Sequence, residues 1–135
     1  MHAHHDSPTV LVIDDMSAIL KMLKKRLEHW GYRALTAGSG EEGLELALTE
    51  VPDLILLDVL MPRMKGREVC ARLKANPSTR DIPVIFLSSL GLAEHVTTGL
   101  GLGADDYVIK PFKPDDLRER MRVCLLRHSQ HGYGA

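Results

Sequence analysis

Cysteines and long apolar runs are both scarce in this sequence of 135 residues. Its two cysteines, Cys70 and Cys124, lie in patterns that predict helices, without the short spacing of a disulfide framework or a zinc site. We therefore expect free, buried thiols in a reducing cytoplasm. No apolar stretch approaches the roughly 20 residues of a membrane span, and the N-terminus lacks the basic-then-apolar order of a signal peptide. These absences exclude a membrane protein.

Excess charge of one sign is also absent. The formal net charge is -1, and acidic and basic residues are interspersed, so the sequence does not predict direct contact with nucleic acid. The length suits one domain. We place it at residues 9–127, after a disordered start or expression remnant at residues 1–8 and before a flexible tail or start of a linker at residues 128–135.

Five short apolar runs alternate with five helical patterns. The runs predict strands at residues 10–13, 32–37, 54–57, 82–87 and 107–110. The helical spacing predicts helices at residues 17–30, 40–51, 66–76, 91–103 and 114–127. Because the connections are short, the strands should form one parallel sheet through right-handed crossovers. The sequence therefore predicts a doubly wound α/β fold, with the second strand at an edge because it alternates and contains Arg33.

Two helices have distinctive ends or interiors. Ser39 and Glu42 have the spacing of a capping box at the start of the second helix. The fourth helix is predicted to be weak, because glycine costs about 1 kcal/mol relative to alanine in a helix interior, and Gly99, Gly101 and Gly103 fall within or beside it.

Polar side chains follow four of the five predicted strands. Asp14 and Asp15 follow the first, Asp58 the third, Ser88 the fourth, and Lys110 ends the fifth. In a doubly wound sheet these ends share one edge, where such folds bind ligands. Three clustered carboxylates cannot all ionise cheaply without a cation, and an oxygen-rich, hydrated site suits Mg²⁺. Each residue alone would be unremarkable, and their coincidence at one edge is the signal.

Asp58 is the candidate nucleophile because it stands alone after the central strand. Aspartate accepts phosphoryl groups in known covalent intermediates. A phosphoryl group on Asp58 could be stabilised by the ammonium of Lys110 and the hydroxyl of Ser88.

These motifs resemble the signature of response-regulator receiver domains in two-component (phosphorelay) signalling. The matching segments are the Asp14–Asp15 pair, DVLMPRMKG at 58–66, Ser88, and GADDYVIKPF at 103–112. The resemblance covers roughly residues 9–127. It implies a flavodoxin-like sheet with strand order 2-1-3-4-5, and phosphorylation of Asp58 by a sensor histidine kinase or a histidine phosphotransfer protein. It also implies a phosphoacceptor with at most self-phosphorylation and self-dephosphorylation activity.

The resemblance assigns further roles to particular residues. It implies Mg²⁺ held by Asp14, Asp15, Asp58 and the backbone carbonyl of Leu60. It also implies a cis peptide bond between Lys110 and Pro111. The surface of the fourth helix, fifth strand and fifth helix is where the resemblance allows a homodimer, and the sequence leaves the oligomeric state open.

In the same family a hydroxyl residue and an aromatic residue rearrange together as a switch. The resemblance assigns these roles to Ser88 and Tyr107. An aromatic side chain at position 107 that merely packs on the last helix remains an equal alternative.

Departures from the family pattern are small. Ser88 replaces the more usual threonine, and Ser89 the more usual alanine, which would narrow access to the phosphoryl group. Leu60 and Leu90 are apolar. They occupy positions at which the residue type in the family varies together with the lifetime of the phosphorylated form. Because neither side chain can orient a water molecule, we expect phosphorylated Asp58 to hydrolyse slowly.

Two other classes of function compete with this interpretation. Phosphatases and phosphotransferases with an aspartate nucleophile usually need a second carboxylate two residues later, where this chain has Leu60. A flavodoxin-like carrier would need a Ser/Thr/Gly phosphate loop after the first strand, where this chain has acids.

Overall fold

In the computed structural model the described backbone covers residues 7–91 and 93–134, so most of the start predicted as disordered or an expression remnant, residues 1–8, lies outside it. Strands and helices alternate along the chain. The strands are β1 Thr9–Ile13, β2 Arg33–Ala37, β3 Leu54–Leu57, β4 Val84–Ser88 and β5 Asp106–Ile109. The helices are α1 Ser17–His29, α2 Gly40–Glu50, α3 Gly66–Ala75, α4 Ala93–Gly101 and α5 Pro114–Gly134.

All the strands form one parallel sheet in the order β2-β1-β3-β4-β5. This confirms the predicted doubly wound fold, its strand order and the edge position of β2. The register pairs Ile13 with Leu57 at the ends of β1 and β3, and Ser88 with Ile109 at the ends of β4 and β5. The polar residues that follow these strands are therefore brought to one edge of the sheet.

The apolar strands explain this arrangement. Every residue of Leu54–Leu57 is fully buried, as a strand with helices on both faces requires. Alternate side chains enter two cores. On one face Ile13 and Leu57 pack with α2 and α3, and on the other Val12 and Leu56 pack with α1 and α5. Burial on both faces holds β3 at the centre, which fixes the position of Asp58.

The predicted capping of α2 is confirmed. The Ser39 hydroxyl accepts a hydrogen bond from the Glu42 N–H at 3.2 Å, and the Glu42 carboxylate accepts one from the Gly38 N–H at 2.7 Å. The predicted state of the thiols is also confirmed, since Cys70 and Cys124 are free and buried. No helix in the described part of the chain is long and apolar enough to cross a membrane.

Helix α4 is shorter than predicted, but one of its glycines has a structural role. Gly99 is buried, and a Cβ atom there would lie 3.0 Å from the Tyr107 ring and 3.1 Å from the Phe86 ring. Glycine therefore lets α4 approach the sheet closely, at the cost in helix propensity that the sequence predicted. Gly103, with a φ of 97°, follows the helix in a turn.

Helix α5 continues beyond its predicted end at residue 127. It runs to Gly134, so residues 128–134, predicted as a flexible tail or start of a linker, are helical. The imidazole Nε2 of His128 lies 3.0 Å from a carboxylate oxygen of Asp105, just before β5. This tertiary contact lies where α5 passes its predicted end.

Replacement of Val51 by glycine is expected to stabilise the protein. Val51 ends α2 with a φ of 43°, a conformation that suits glycine and strains a β-branched residue. Its side chain is 52% exposed, so little burial is lost. We expect Val51→Gly to raise the free energy of unfolding by about 1 kcal/mol, measured by urea denaturation. The matched control Glu50→Gly, one residue earlier in the helix, should lower it; stabilisation by both changes would contradict the backbone argument.

Candidate functional site

Three carboxylates meet at the carboxyl edge of the sheet. One carboxylate oxygen from each of Asp14, Asp15 and Asp58 lies within 4.8 Å of the others. The backbone holds two of them in place, because the Asp14 N–H donates to the Ala37 carbonyl and the Asp58 N–H donates to the Ile13 carbonyl at 2.9 Å. Asp14 and Asp58 are buried and Asp15 is exposed, so the cluster has a deep side and a side open to solvent.

Lys110 is the cation of the cluster. Its Nζ donates to Asp14 Oδ2 at 2.7 Å and lies 3.8 Å from Asp58 Oδ2. The peptide bond between Lys110 and Pro111 is cis, as the family resemblance implied. A single ammonium group therefore lies at a cluster of three carboxylates. It is hydrogen-bonded to Asp14 and lies near Asp58 without a hydrogen bond to it.

The pKa of the Asp58 carboxyl group is raised above its ordinary value. Burial is the main cause, and the nearby charges of Asp14 and Asp15 add to it. Lys110 and a hydrogen bond from the Leu60 N–H, at 3.3 Å, oppose this shift but do not cancel it. Ionised Asp58 is therefore under-compensated by the protein alone.

This donor set fits Mg²⁺. Mg²⁺ prefers carboxylate oxygens and retains several waters, and the exposed Asp15 leaves the cluster open to water. The unbalanced negative charge supplies the attraction. The described contacts of Leu60 involve its N–H, so the ligand role of its carbonyl stays a prediction.

The two predicted switch residues meet at one backbone residue. Ser88 is the last residue of β4, one position inside the strand rather than after it, and its hydroxyl accepts a hydrogen bond from the Leu90 N–H at 3.3 Å. The Tyr107 hydroxyl donates to the Leu90 carbonyl at 2.7 Å. Leu90 thus links the two side chains, a role that the sequence could not reveal because it uses backbone atoms.

The Tyr107 ring is buried on the α4 side of the sheet. Its centroid lies 5.9 Å from that of Phe86, and it belongs to the core that contains α3 residues. The core of α1 and α5 is on the opposite face. The alternative of a ring packed on the last helix is therefore wrong.

Gly66 is another residue of the site whose role the sequence analysis missed. Its N–H donates to the Val59 carbonyl at 3.0 Å, and a Cβ atom on Gly66 would collide with the carbonyl of Asp58. The signal was present in the sequence as a glycine at the end of the segment that follows Asp58. Only glycine allows this segment to fold back on the backbone of the central carboxylate.

The fold and the site together define a CheY-like signalling domain on a flavodoxin-like scaffold. The chain belongs to the response regulator receiver domain family, whose model matches residues 10–122. This family acts as a signalling switch in response regulators, and membership decides against the phosphatase and carrier alternatives.

Curated proteins and solved structures agree with this assignment. The chain is 42% identical over 126 residues to "Probable transcriptional regulator ycf27" of Guillardia theta, covering 93% of this chain and 48% of that protein. It is 42% identical over 118 residues to "Alkaline phosphatase synthesis transcriptional regulatory protein PhoP" of Bacillus subtilis, covering 87% of this chain and 48% of that protein. The chain thus spans about half the length of these relatives.

A solved structure supports the fold directly. The response regulator receiver domain protein (CheY-like) from Methanospirillum hungatei superimposes with a TM-score of 0.87 at 29% identity, covering 93% of this chain and 99% of that chain. The match extends over nearly the whole of both chains, so the architecture is shared and not only the site.

The crowded carboxylates lead to a stability prediction. In metal-free buffer at pH 7, Asp58→Asn should raise the urea midpoint of unfolding, because it removes a buried, under-compensated charge. Mg²⁺ should stabilise the unmodified protein by about 2.7 kcal/mol at one hundred times its dissociation constant, and the variant by less. Asp81→Asn removes an exposed charge elsewhere. This variant should have the urea midpoint of the unmodified protein and should be stabilised by Mg²⁺ to the same extent. An equal Mg²⁺ effect in all three proteins would contradict a metal site at Asp58.

Proposed function

We propose that Asp58 is the phosphoacceptor of a signalling switch. A carboxylate oxygen of Asp58 attacks the phosphorus of a phosphohistidine, the phosphorus–nitrogen bond breaks, and the imidazole leaves with the electron pair. The observation that carries this proposal is the placement of Asp58 at the end of the central strand, between two other carboxylates and beside Lys110. The chemistry would be limited to accepting the phosphoryl group and losing it again.

The neighbours of Asp58 supply positive charge and hydrogen bonds. The Lys110 ammonium, held by Asp14 and 3.8 Å from Asp58 Oδ2, is close enough to pair with a phosphoryl oxygen after a small movement. The Ser88 hydroxyl can donate to another oxygen if it leaves the Leu90 N–H. Both interactions stabilise charge that develops as the phosphoryl group transfers.

Asp14, Asp15 and Asp58 would hold Mg²⁺, together with the backbone carbonyl of Leu60. When bound, the ion neutralises negative charge on the carboxylates and on the phosphoryl oxygens. The role of Asp14 is then double, because it also holds the Lys110 ammonium in place.

Phosphorylation would change the segment after β4. If the Ser88 hydroxyl turns toward the phosphoryl group, the Leu90 N–H loses its hydrogen-bond acceptor. The carbonyl of the same residue accepts the hydrogen bond from the Tyr107 hydroxyl. The two hydrogen bonds share one residue, so a shift of Leu90 also disturbs Tyr107. Such linkage supports a population shift between two conformations.

The partner in the transfer would be a sensor histidine kinase or a histidine phosphotransfer protein in the cytoplasm. The surface of α4, β5 and α5 would carry the output, including a homodimer. Leu100, Ile109 and Leu126 are exposed there, and Arg120 of α5 bonds Asp106 of β5 at 2.8 Å. Because the relatives named above are transcriptional regulators, we propose that this chain controls a regulator of that kind, without contacting nucleic acid itself.

Labelling with acetyl phosphate tests the phosphoacceptor. In Mg²⁺ buffer the unmodified protein should gain the mass of one phosphoryl group, and Asp58→Asn should not, because an amide is a poor nucleophile. Intact-protein mass spectrometry provides the measurement. Asp53→Asn is the matched control at the opposite end of β3, and it should label normally. Labelling of Asp58→Asn at the unmodified level would refute the assignment.

The lifetime of the phosphorylated form provides a second test. Leu60 is 45% exposed beside Asp58, where its apolar side chain cannot orient an attacking water. After acetyl phosphate is removed, the unmodified protein should lose its phosphoryl group slowly, and Leu60→Asn should lose it several-fold faster. Leu48→Asn, at an exposed leucine of α2, serves as control. Rapid loss of the phosphoryl group from the unmodified protein in Mg²⁺ buffer without a phosphatase would contradict this prediction.

A further inference from the structure

The segment that runs from Asp58 into the first turn of α3 carries three exposed cations, Arg63, Lys65 and Arg67. None of these three side chains forms a hydrogen bond or an ion pair with any residue that the structure describes. Some exposed arginines are paired within the chain, such as Arg72 with Glu68 at 2.9 Å and Arg122 with Glu119 at 2.6 Å, whereas Arg80 and Arg127 form no such pair with the described residues. The three cations after Asp58 are therefore free to interact with a partner outside the chain, and their position beside Asp58 distinguishes them from the other unpaired cations.

These positions are unfavourable for stability. Arg63 has a φ of 64°, in the left-handed region that favours glycine. Lys65 caps α3 without a side-chain hydrogen bond, and Arg67 lies in its first turn, where the positive end of the helix dipole disfavours cations. The first turns of α2 and α5 carry two acids each, whereas the first turn of α3 has Arg67 beside a single acid, Glu68. Stability alone would not select this arrangement.

The segment lies directly beside the phosphoacceptor. Gly66 stands between Lys65 and Arg67, and its backbone is packed so closely on Asp58 that a Cβ atom would collide with the Asp58 carbonyl. The N–H of Gly66 donates to the Val59 carbonyl, which fixes the segment in this position. The cations are therefore attached to backbone that rests on the reacting residue.

An incoming phosphoryl donor meets an electrostatic obstacle at this site. The donor is anionic, and the cluster presents three carboxylates with one ammonium already bonded to Asp14. Charges on a surface act over about 10 Å at 0.1 M salt, and cations along an approach path raise the rate of encounter with anions. The chain carries three exposed cations on the segment that follows Asp58.

We propose that Arg63, Lys65 and Arg67 steer anionic phosphoryl donors to Asp58 and so determine a preference for donors of higher negative charge. This inference rests on the proposed function, because it requires Asp58 to be the phosphoacceptor. The cations are positioning residues, which speed the approach of the donor without taking part in bond formation.

The test compares two small donors of different charge. Acetyl phosphate is a dianion at neutral pH, and phosphoramidate carries less negative charge. The variant Arg63→Asn/Lys65→Gln/Arg67→Gln should react with acetyl phosphate about three- to tenfold more slowly than the unmodified protein at low salt. The decrease in its rate with phosphoramidate should be smaller. The decreases in rate with both donors should become smaller in 0.5 M NaCl. The rate of mass gain, extrapolated to limiting donor concentration, is the readout.

Two control variants separate steering from other effects. Lys25→Gln/Arg80→Gln/Arg127→Gln removes the same charge from residues at the opposite end of the sheet and should behave as the unmodified protein. Arg63→Lys/Lys65→Arg/Arg67→Lys keeps the charge and should also retain the rate. An equal decrease in rate for the distant variant would overturn the inference. So would a decrease in rate that is the same for both donors and at both salt concentrations. Failure of the unmodified protein to label at all would instead overturn the proposed function, and the inference with it.

Discussion

The structure depends on burial of a carboxylate at the end of a fully apolar strand. Leu54–Leu57 can be buried on both faces only at the centre of the sheet, and this places Asp58 where β1 and β5 deliver Asp14 and Lys110. Burial and the adjacent acids raise the pKa of Asp58. The apolar core thus creates a negatively charged group that the protein compensates only in part. A bound cation can supply the missing positive charge.

The unequal contacts of Lys110 suit the nucleophilic role that we propose for Asp58. If the ammonium were bonded as closely to Asp58 as to Asp14, it would occupy an oxygen of the proposed nucleophile. Instead Nζ is 2.7 Å from Asp14 and 3.8 Å from Asp58. Asp14 therefore holds the Lys110 ammonium near Asp58 without a close bond to Asp58, and removal of Asp14 would change the position of Lys110.

Much of the fold and most of the candidate site could be predicted from the sequence, because both follow from the order of apolar runs. Strands that end in Asp14, Asp58 and Lys110 must deliver them to one edge once the sheet is parallel. The rest depends on contacts with no local signature. The link through Leu90 uses backbone atoms, and α5 extends past residue 127 beside a contact between His128 and Asp105. The close approach at Gly99 needs the facing rings to be known.

In the proposed switch, the lengths of the two hydrogen bonds at Leu90 indicate which of them would break first. The bond from the Leu90 N–H to Ser88 is long, at 3.3 Å, whereas Tyr107 holds the Leu90 carbonyl at 2.7 Å. A neutral hydrogen bond contributes about 1 kcal/mol net, and one to a charged group about 1.5–3 kcal/mol. Exchange of the first for a bond from Ser88 to a phosphoryl oxygen therefore gains roughly 0.5–2 kcal/mol, which shifts a two-state population by about two- to thirtyfold. This factor is well below the roughly 10⁴-fold of a complete switch, so Lys110, a bound cation or a partner must supply the remaining preference for the active conformation.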